Sequence, residues 1–91
     1  MITVIIPTYK PGAYLWKCLD SLESQTIEKS QYEVIVILNG CKEPYATTIT
    51  QGIGNYSMNI RIEQTDTAGV SNARNIGLDR AKGDFICFID D

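Results

Sequence analysis

Ninety-one residues suffice for one small domain with a single core, and a content of 44% hydrophobic and 21% charged residues, free of repeats or low-complexity tracts, fits a folded chain. The net charge of −3, with eight basic residues scattered along the chain, offers no cationic stripe for a phosphate backbone, so nucleic acid is not expected as a partner. No apolar run approaches the roughly 20 residues that span a bilayer, and the start lacks a signal-peptide pattern. A cytoplasmic segment is expected, and any anchor to the inner face of the membrane would lie beyond it.

Ile2, Val4, Ile5 and Ile6 make residues 1–7 a β-branched run closed by Pro7, as for a strand buried on both faces. Pro11 and Gly12 open a helix to about Gln25, with Leu15, Leu19 and Leu22 at helical spacing and Cys18 beside them. Residues 33–38, EVIVIL, read as a second central strand ended by the turn pair Asn39-Gly40. Residues 44–53 form a weaker helical stripe through Tyr45, Ala46 and Ile49, fading at Gly52 and Gly54. Residues 59–63, NIRIE, alternate like a strand near the sheet edge. Residues 68–82 are expected as a helix with Gly83 as its C-cap signal, followed by a fourth buried strand, DFICFI, over residues 84–89.

The order βαβαβαβ, with crossovers long enough for parallel pairing, predicts an α/β fold built on a small Rossmann-like open parallel sheet. Ligands of such sheets sit beyond the carboxyl ends of the strands. Those ends carry Pro7-Thr8-Tyr9, Asn39-Gly40 and Asp90-Asp91.

The sequence has no histidine, so chemistry must rest on carboxylates, hydroxyls, backbone amides and Arg74. Cys18, Cys41 and Cys87 are odd in number and unpaired in spacing, which suggests reduced thiols and neither a disulfide framework nor a zinc site. Asp90 and Asp91 end an apolar strand, where two carboxylates repel unless donors or a cation hold them. Mg²⁺ or Mn²⁺ suits such hard oxygens, and a solvated strand end is the plainer alternative. Tyr9 offers a stacking face for a base or a packing surface over the first helix. Around residues 69–75 a helix begins, so backbone amides and the Arg74 guanidinium lie close together, suited to an anion. Alternatively Ser71 or a neighbour caps that helix and Arg74 pairs with a surface carboxylate.

Taken together, VIIPTYK, CLDSLESQT, EVIVILNG and GVSNARNIGLDRAKGDFICFIDD resemble the family 2 glycosyltransferases along essentially the whole chain. The resemblance implies the N-terminal, nucleotide-binding half of a GT-A fold, spanning residues 1–91 and truncated within the D-x-D motif. It implies that Pro7, Thr8 and Tyr9 hold a uracil or thymine base and its ribose, that Arg74 lies near base and diphosphate, and that Asp90 and Asp91 serve ribose and metal, Mn²⁺ or Mg²⁺. The partners implied are a nucleotide-diphosphate sugar, with UDP the expected nucleotide, and an acceptor saccharide or lipid-linked saccharide, commonly in bacterial surface polysaccharide synthesis. No catalytic residue is expected within the chain, because the family's base follows the D-x-D motif. Asn39 departs from the pattern: the family commonly has an Asp there, and the amide can reach a base N–H only through its carbonyl oxygen. Two rival readings are a non-catalytic nucleotide-binding α/β module and a structural fragment that pairs through its open sheet. An uncovered strand over residues 84–89 also predicts a homodimer of the fragment.

Overall fold

In the computed structural model, residues 1–40, 42–67 and 69–90 are described. Four parallel strands form one sheet in the order β3-β2-β1-β4, with β1 at Ile2–Thr8, β2 at Tyr32–Asn39, β3 at Asn59–Thr65 and β4 at Phe85–Phe88. The helices α1 (Ala13–Glu23), α2 (Tyr45–Ile53) and α3 (Val70–Arg80) fill the crossovers, and a short 3₁₀ turn at Lys29–Gln31 leads into β2. The expected α/β class and element order are therefore found.

Two cores flank the sheet because successive strand residues face opposite sides. Val4, Ile6, Val34, Val36 and Leu38 pack with Leu15 and Leu19 of α1 and Ile49 of α2. On the other face Ile5, Ile35 and Ile37 pack with Ala73 and Ile76 of α3. The continuous β-branched runs of β1 and β2 follow from this double cover, since neither face meets water. No helix among the described residues is long and apolar enough to cross a membrane.

β4 differs from its expected burial. It pairs with β1 from Ile2↔Phe85 to Ile5↔Phe88, but all four of its residues are exposed, Phe85 at 70%. The apolar run suggests a buried strand, whereas its place at the sheet edge leaves it uncovered among the described residues, in line with the open edge expected over residues 84–89. Gly83 also departs from its expected role: α3 ends at Arg80, and its C-cap is Ala81 in extended conformation. Gly83 is there for close approach, because a Cβ on it would lie 2.6 Å from Thr3 Oγ1 and 2.7 Å from the Met1 carbonyl oxygen. Its amide donates to Thr3 Oγ1 at 2.9 Å.

The amino-terminal end of the sheet is closed by Glu33, a buried carboxylate that sequence reasoning treated only as part of a strand. Its Oε2 accepts from the Thr3 hydroxyl at 2.7 Å and the Lys82 amide at 2.7 Å, and its Oε1 accepts from Arg61 Nη2 at 2.9 Å. Arg61 Nη2 donates in turn to the Arg80 carbonyl at 2.8 Å. One side chain thus joins β1, β2, β3 and the α3–β4 connection. Burial alone would raise the Glu33 pKa, but the Lys82 amide, the Thr3 hydroxyl and Arg61 together hold it below the ordinary glutamate value.

Candidate functional site

The carboxyl end of β1 begins the site. Pro7 lies inside β1, paired with Ile37, so the strand continues one residue beyond its expected end, to Thr8. A proline is tolerated in this central strand because the β1–β4 ladder stops just before it. The Ile89 amide donates to the Ile5 carbonyl at 3.0 Å, and Pro7, next on that side, has no N–H with which to extend the ladder. The chain is therefore free to leave the sheet at Asp90. Thr8 is buried, while Tyr9 is 55% exposed.

Tyr9 leans on the Asn39-Gly40 turn. Gly40 has φ +96°, and a Cβ there would stand 2.9 Å from Tyr9 Cε1, so only glycine permits both the turn and the ring's position. The Lys10 ammonium lies 5.4 Å from the centroid of the same ring. Asn39 is buried, and its Oδ1 accepts from the Gly69 amide at 3.2 Å. The oxygen expected to face a base is thus already engaged in holding the loop before α3. A carbonyl oxygen has two lone pairs, so it retains capacity for a second donor.

α3 starts after Gly69 with no side-chain cap, which sets aside the expectation that Ser71 or a neighbour serves as one. Arg74, one turn in, has Nη2 at 3.2 Å from Asp90 Oδ1 and Cζ at 5.6 Å from the centroid of Phe88. The alternative pairing of Arg74 with a surface carboxylate is realised, and its partner is a residue of the candidate site.

Pro7, Thr8, Tyr9, Asn39, Val70, Arg74 and Asp90 line one cavity of about 370 Å³. Six of these seven were singled out from sequence as nucleotide-binding candidates. The seventh, Val70, falls within the helix expected over residues 68–82 and was not singled out. It is exposed at the helix start, so its apolar side chain is available to the cavity wall. Asp91, the second candidate for metal, lies outside the described residues, as does Cys41. Cys18 and Cys87 are not joined in a disulfide, and neither lines this cavity.

A larger groove of about 750 Å³ runs between α1 and α2, past Trp16, Asp20, Glu23 and Tyr56. Its carboxylates and the Tyr56 phenol are committed to the fold. The Tyr56 hydroxyl donates to Asp20 Oδ1 at 2.7 Å, and burial together with that carboxylate pushes the phenol pKa up to about 12. Glu23 accepts from the amide and hydroxyl of Ser57, at 3.0 and 2.8 Å, and from the Met58 amide; the Ser57 bonds lead in holding its pKa below the ordinary value. Size alone therefore does not mark the site.

Among the described residues no three His, Cys, Asp or Glu side chains converge on a point. Asp90 is nevertheless an exposed hard-oxygen donor on the smaller cavity. That suits a cation which takes one or two carboxylates and leaves its other positions to water and phosphate.

The family model of Glycosyl transferase family 2 matches residues 3–91, and the chain belongs to that family. It is 32% identical over 90 residues to the poly(ribitol-phosphate) beta-N-acetylglucosaminyltransferase TarS of Staphylococcus aureus, covering 97% of this chain and 15% of TarS. It is 36% identical over 90 residues to the glycosyltransferase AglE of Haloferax volcanii, covering 98% of this chain and 29% of AglE. The crystal structure of S. aureus TarS 1-349 in complex with UDP-GlcNAc superposes with a TM-score of 0.84 at 32% identity, over 98% of this chain and 26% of that one. The open parallel sheet thus matches the N-terminal Rossmann-like part of the TarS GT-A fold, and the chain spans less than a third of the length of these relatives.

Proposed function

We propose that the chain forms the donor-nucleotide half of a glycosyltransferase that moves a sugar from a nucleotide-diphosphate sugar, with UDP as the nucleotide, to an acceptor hydroxyl. The observation that carries this reading is the single cavity at the carboxyl ends of the strands, where Tyr9, Asn39, Arg74 and Asp90 meet. An aromatic face, an amide and a guanidinium are what a pyrimidine base and a diphosphate require. The TarS crystal structure with UDP-GlcNAc supports the choice of nucleotide by similarity.

In this reading Tyr9 stacks on the base while Pro7 and Thr8 form the floor beneath base and ribose. Asn39 offers the second lone pair of its carbonyl to the base N–H, and Arg74 pairs with the diphosphate. Asp90, with Asp91, would accept from ribose hydroxyls and hold Mg²⁺ or Mn²⁺, which supplies charge neutralisation on the diphosphate. In the whole enzyme an acceptor oxygen attacks the anomeric carbon, the bond to the diphosphate oxygen breaks, and the acceptor proton passes to a carboxylate outside these residues. The acceptor is a saccharide or lipid-linked saccharide of a bacterial surface polymer, and the work is done on the cytoplasmic side of the membrane.

Titration with UDP in the presence of Mn²⁺ and then EDTA tests the reading. Saturable binding that Mn²⁺ strengthens is expected. Binding indifferent to metal favours a non-catalytic nucleotide module, and no binding favours a structural role. The exposed edge of β4 further supports self-association through Phe85–Phe88, because an apolar strand with an open outer edge is a template for a second copy. Sedimentation at micromolar concentration is expected to show a dimer; a clean monomer contradicts it.

A further inference from the structure

The contacts of Arg74 show a side chain held loosely by groups it can exchange. Among the described residues it meets one oxygen of Asp90, at 3.2 Å, long for a charge-assisted bond and monodentate where a guanidinium can offer a fork. Among the described residues its buried Nε finds no hydrogen-bond partner, so part of the donor capacity goes unused there. Asp90 is 73% exposed, which screens the pair by water and salt. Phe88 lies beneath the guanidinium and keeps it within reach of Asp90. Both partners line the same cavity.

We propose that Arg74 and Asp90 are an exchange pair: Asp90 holds Arg74 in a resting position, and a nucleoside diphosphate draws Arg74 away and leaves the Asp90 carboxylate free. This deepens the nucleotide reading and rests on it. A diphosphate presents several oxygens and more than one negative charge, so it can engage the guanidinium as a fork where Asp90 engages it at one point. The same carboxylate cannot fully serve a cation while it neutralises Arg74, so the move of Arg74 to phosphate prepares Asp90 for its other role. Asp90 therefore opposes nucleotide binding when no cation is present, although it lies inside the binding site. That sign is opposite to the one expected of a simple ligand contact.

Isothermal titration with UDP in EDTA at low ionic strength, on wild type, Asp90→Asn, Arg74→Gln and the double variant, tests the proposal. Asn keeps an acceptor for a ribose hydroxyl and removes the charge; Asp90 is exposed, so the variant should fold as wild type does, which circular dichroism checks. Asp90→Asn is expected to bind UDP about two- to fivefold tighter than wild type, the range that corresponds to an exposed ion pair. In the Arg74→Gln background that gain is expected to vanish, because there is no guanidinium left to release. Weaker or unchanged binding by Asp90→Asn overturns the exchange. So does a gain of equal size in both backgrounds, which would show plain repulsion between Asp90 and phosphate. If wild type binds no UDP, with or without Mn²⁺, the nucleotide reading itself fails, and that outcome is distinct from the other two.

Discussion

At the amino-terminal end of the sheet Glu33 is 1% exposed and takes hydrogen bonds from three residues, with Arg61 at 2.9 Å; at the carboxyl end Asp90 is 73% exposed and meets Arg74 through one contact of 3.2 Å. Both are pairs of arginine and carboxylate, and in both the arginine Nε lacks a partner among the described residues. What differs is how fully the carboxylate is satisfied and how much water reaches it. A buried charge must be surrounded by donors or the fold fails, and Glu33, buried and tied to three donors, is out of a ligand's reach. An exposed, weakly held pair costs little to break and can respond to one. The two ends thus separate maintenance of the fold from binding, and substitutions at each should move different observables.

The largest effect is expected at Glu33. Glu33→Ala should destabilise the protein by about 3 kcal/mol, the lower end for breaking a buried pair because Arg61 is partly exposed. Urea denaturation measures it, and UDP affinity of the folded variant should be unchanged. A parallel loss of affinity would show that the two ends are coupled. The same carboxylate gives the pH dependence its sign. Its pKa is lower in the folded than in the unfolded chain, so its stabilisation is fully present above the unfolded value and is lost as pH falls through the folded one. Glu33→Gln should therefore flatten the acid side of the stability profile, and the remaining slope should include Glu23, whose pKa is also depressed.

A smaller effect with the opposite distribution is expected at Tyr9. Tyr9→Ala should weaken UDP binding by about 1–3 kcal/mol, the usual worth of stacking between a base and an aromatic ring, while leaving the urea midpoint nearly in place, since the ring is largely exposed. A shift in stability without a change in affinity would make Tyr9 a packing residue. Smaller again is Asn39→Asp, expected to tighten UDP binding by about 1 kcal/mol through a charge-assisted bond to the base N–H. The carboxylate can still accept from Gly69, so the loop should hold. Unchanged affinity would mean that residue 39 serves the loop alone.

Most of the carboxyl-end cavity was legible in the sequence because strand order brings Pro7, Thr8, Tyr9, Asn39 and Asp90 to the ends of neighbouring strands. The helix pattern of residues 68–82 placed Arg74 near a helix start, and its family motif named it. The Glu33 network was not legible. A glutamate at the start of EVIVIL has the same local pattern whether it meets solvent or three donors, and its partners are 30, 28 and 49 residues away. The burial that apolarity suggested for β4 is not found for a related reason, since FICF reports apolarity but not whether a neighbour covers it; the open edge of this strand was expected. Gly83 followed the rule for a helix C-cap in sequence, yet its role depends on contact with Met1 and Thr3 at the far end of the chain.

The separation of the two ends is tested most directly by mapping UDP-induced amide shifts in the ¹⁵N-labelled protein with Mn²⁺ excluded. Saturable shifts are expected at Thr8, Tyr9, Asn39, Gly40, Gly69 and Arg74, with the amides of Thr3, Glu33, Lys82 and Gly83 unmoved. Shifts centred on Trp16 and Tyr56 in the groove between α1 and α2, or spread equally over both ends of the sheet, would contradict the assignment of nucleotide binding to the carboxyl-end cavity.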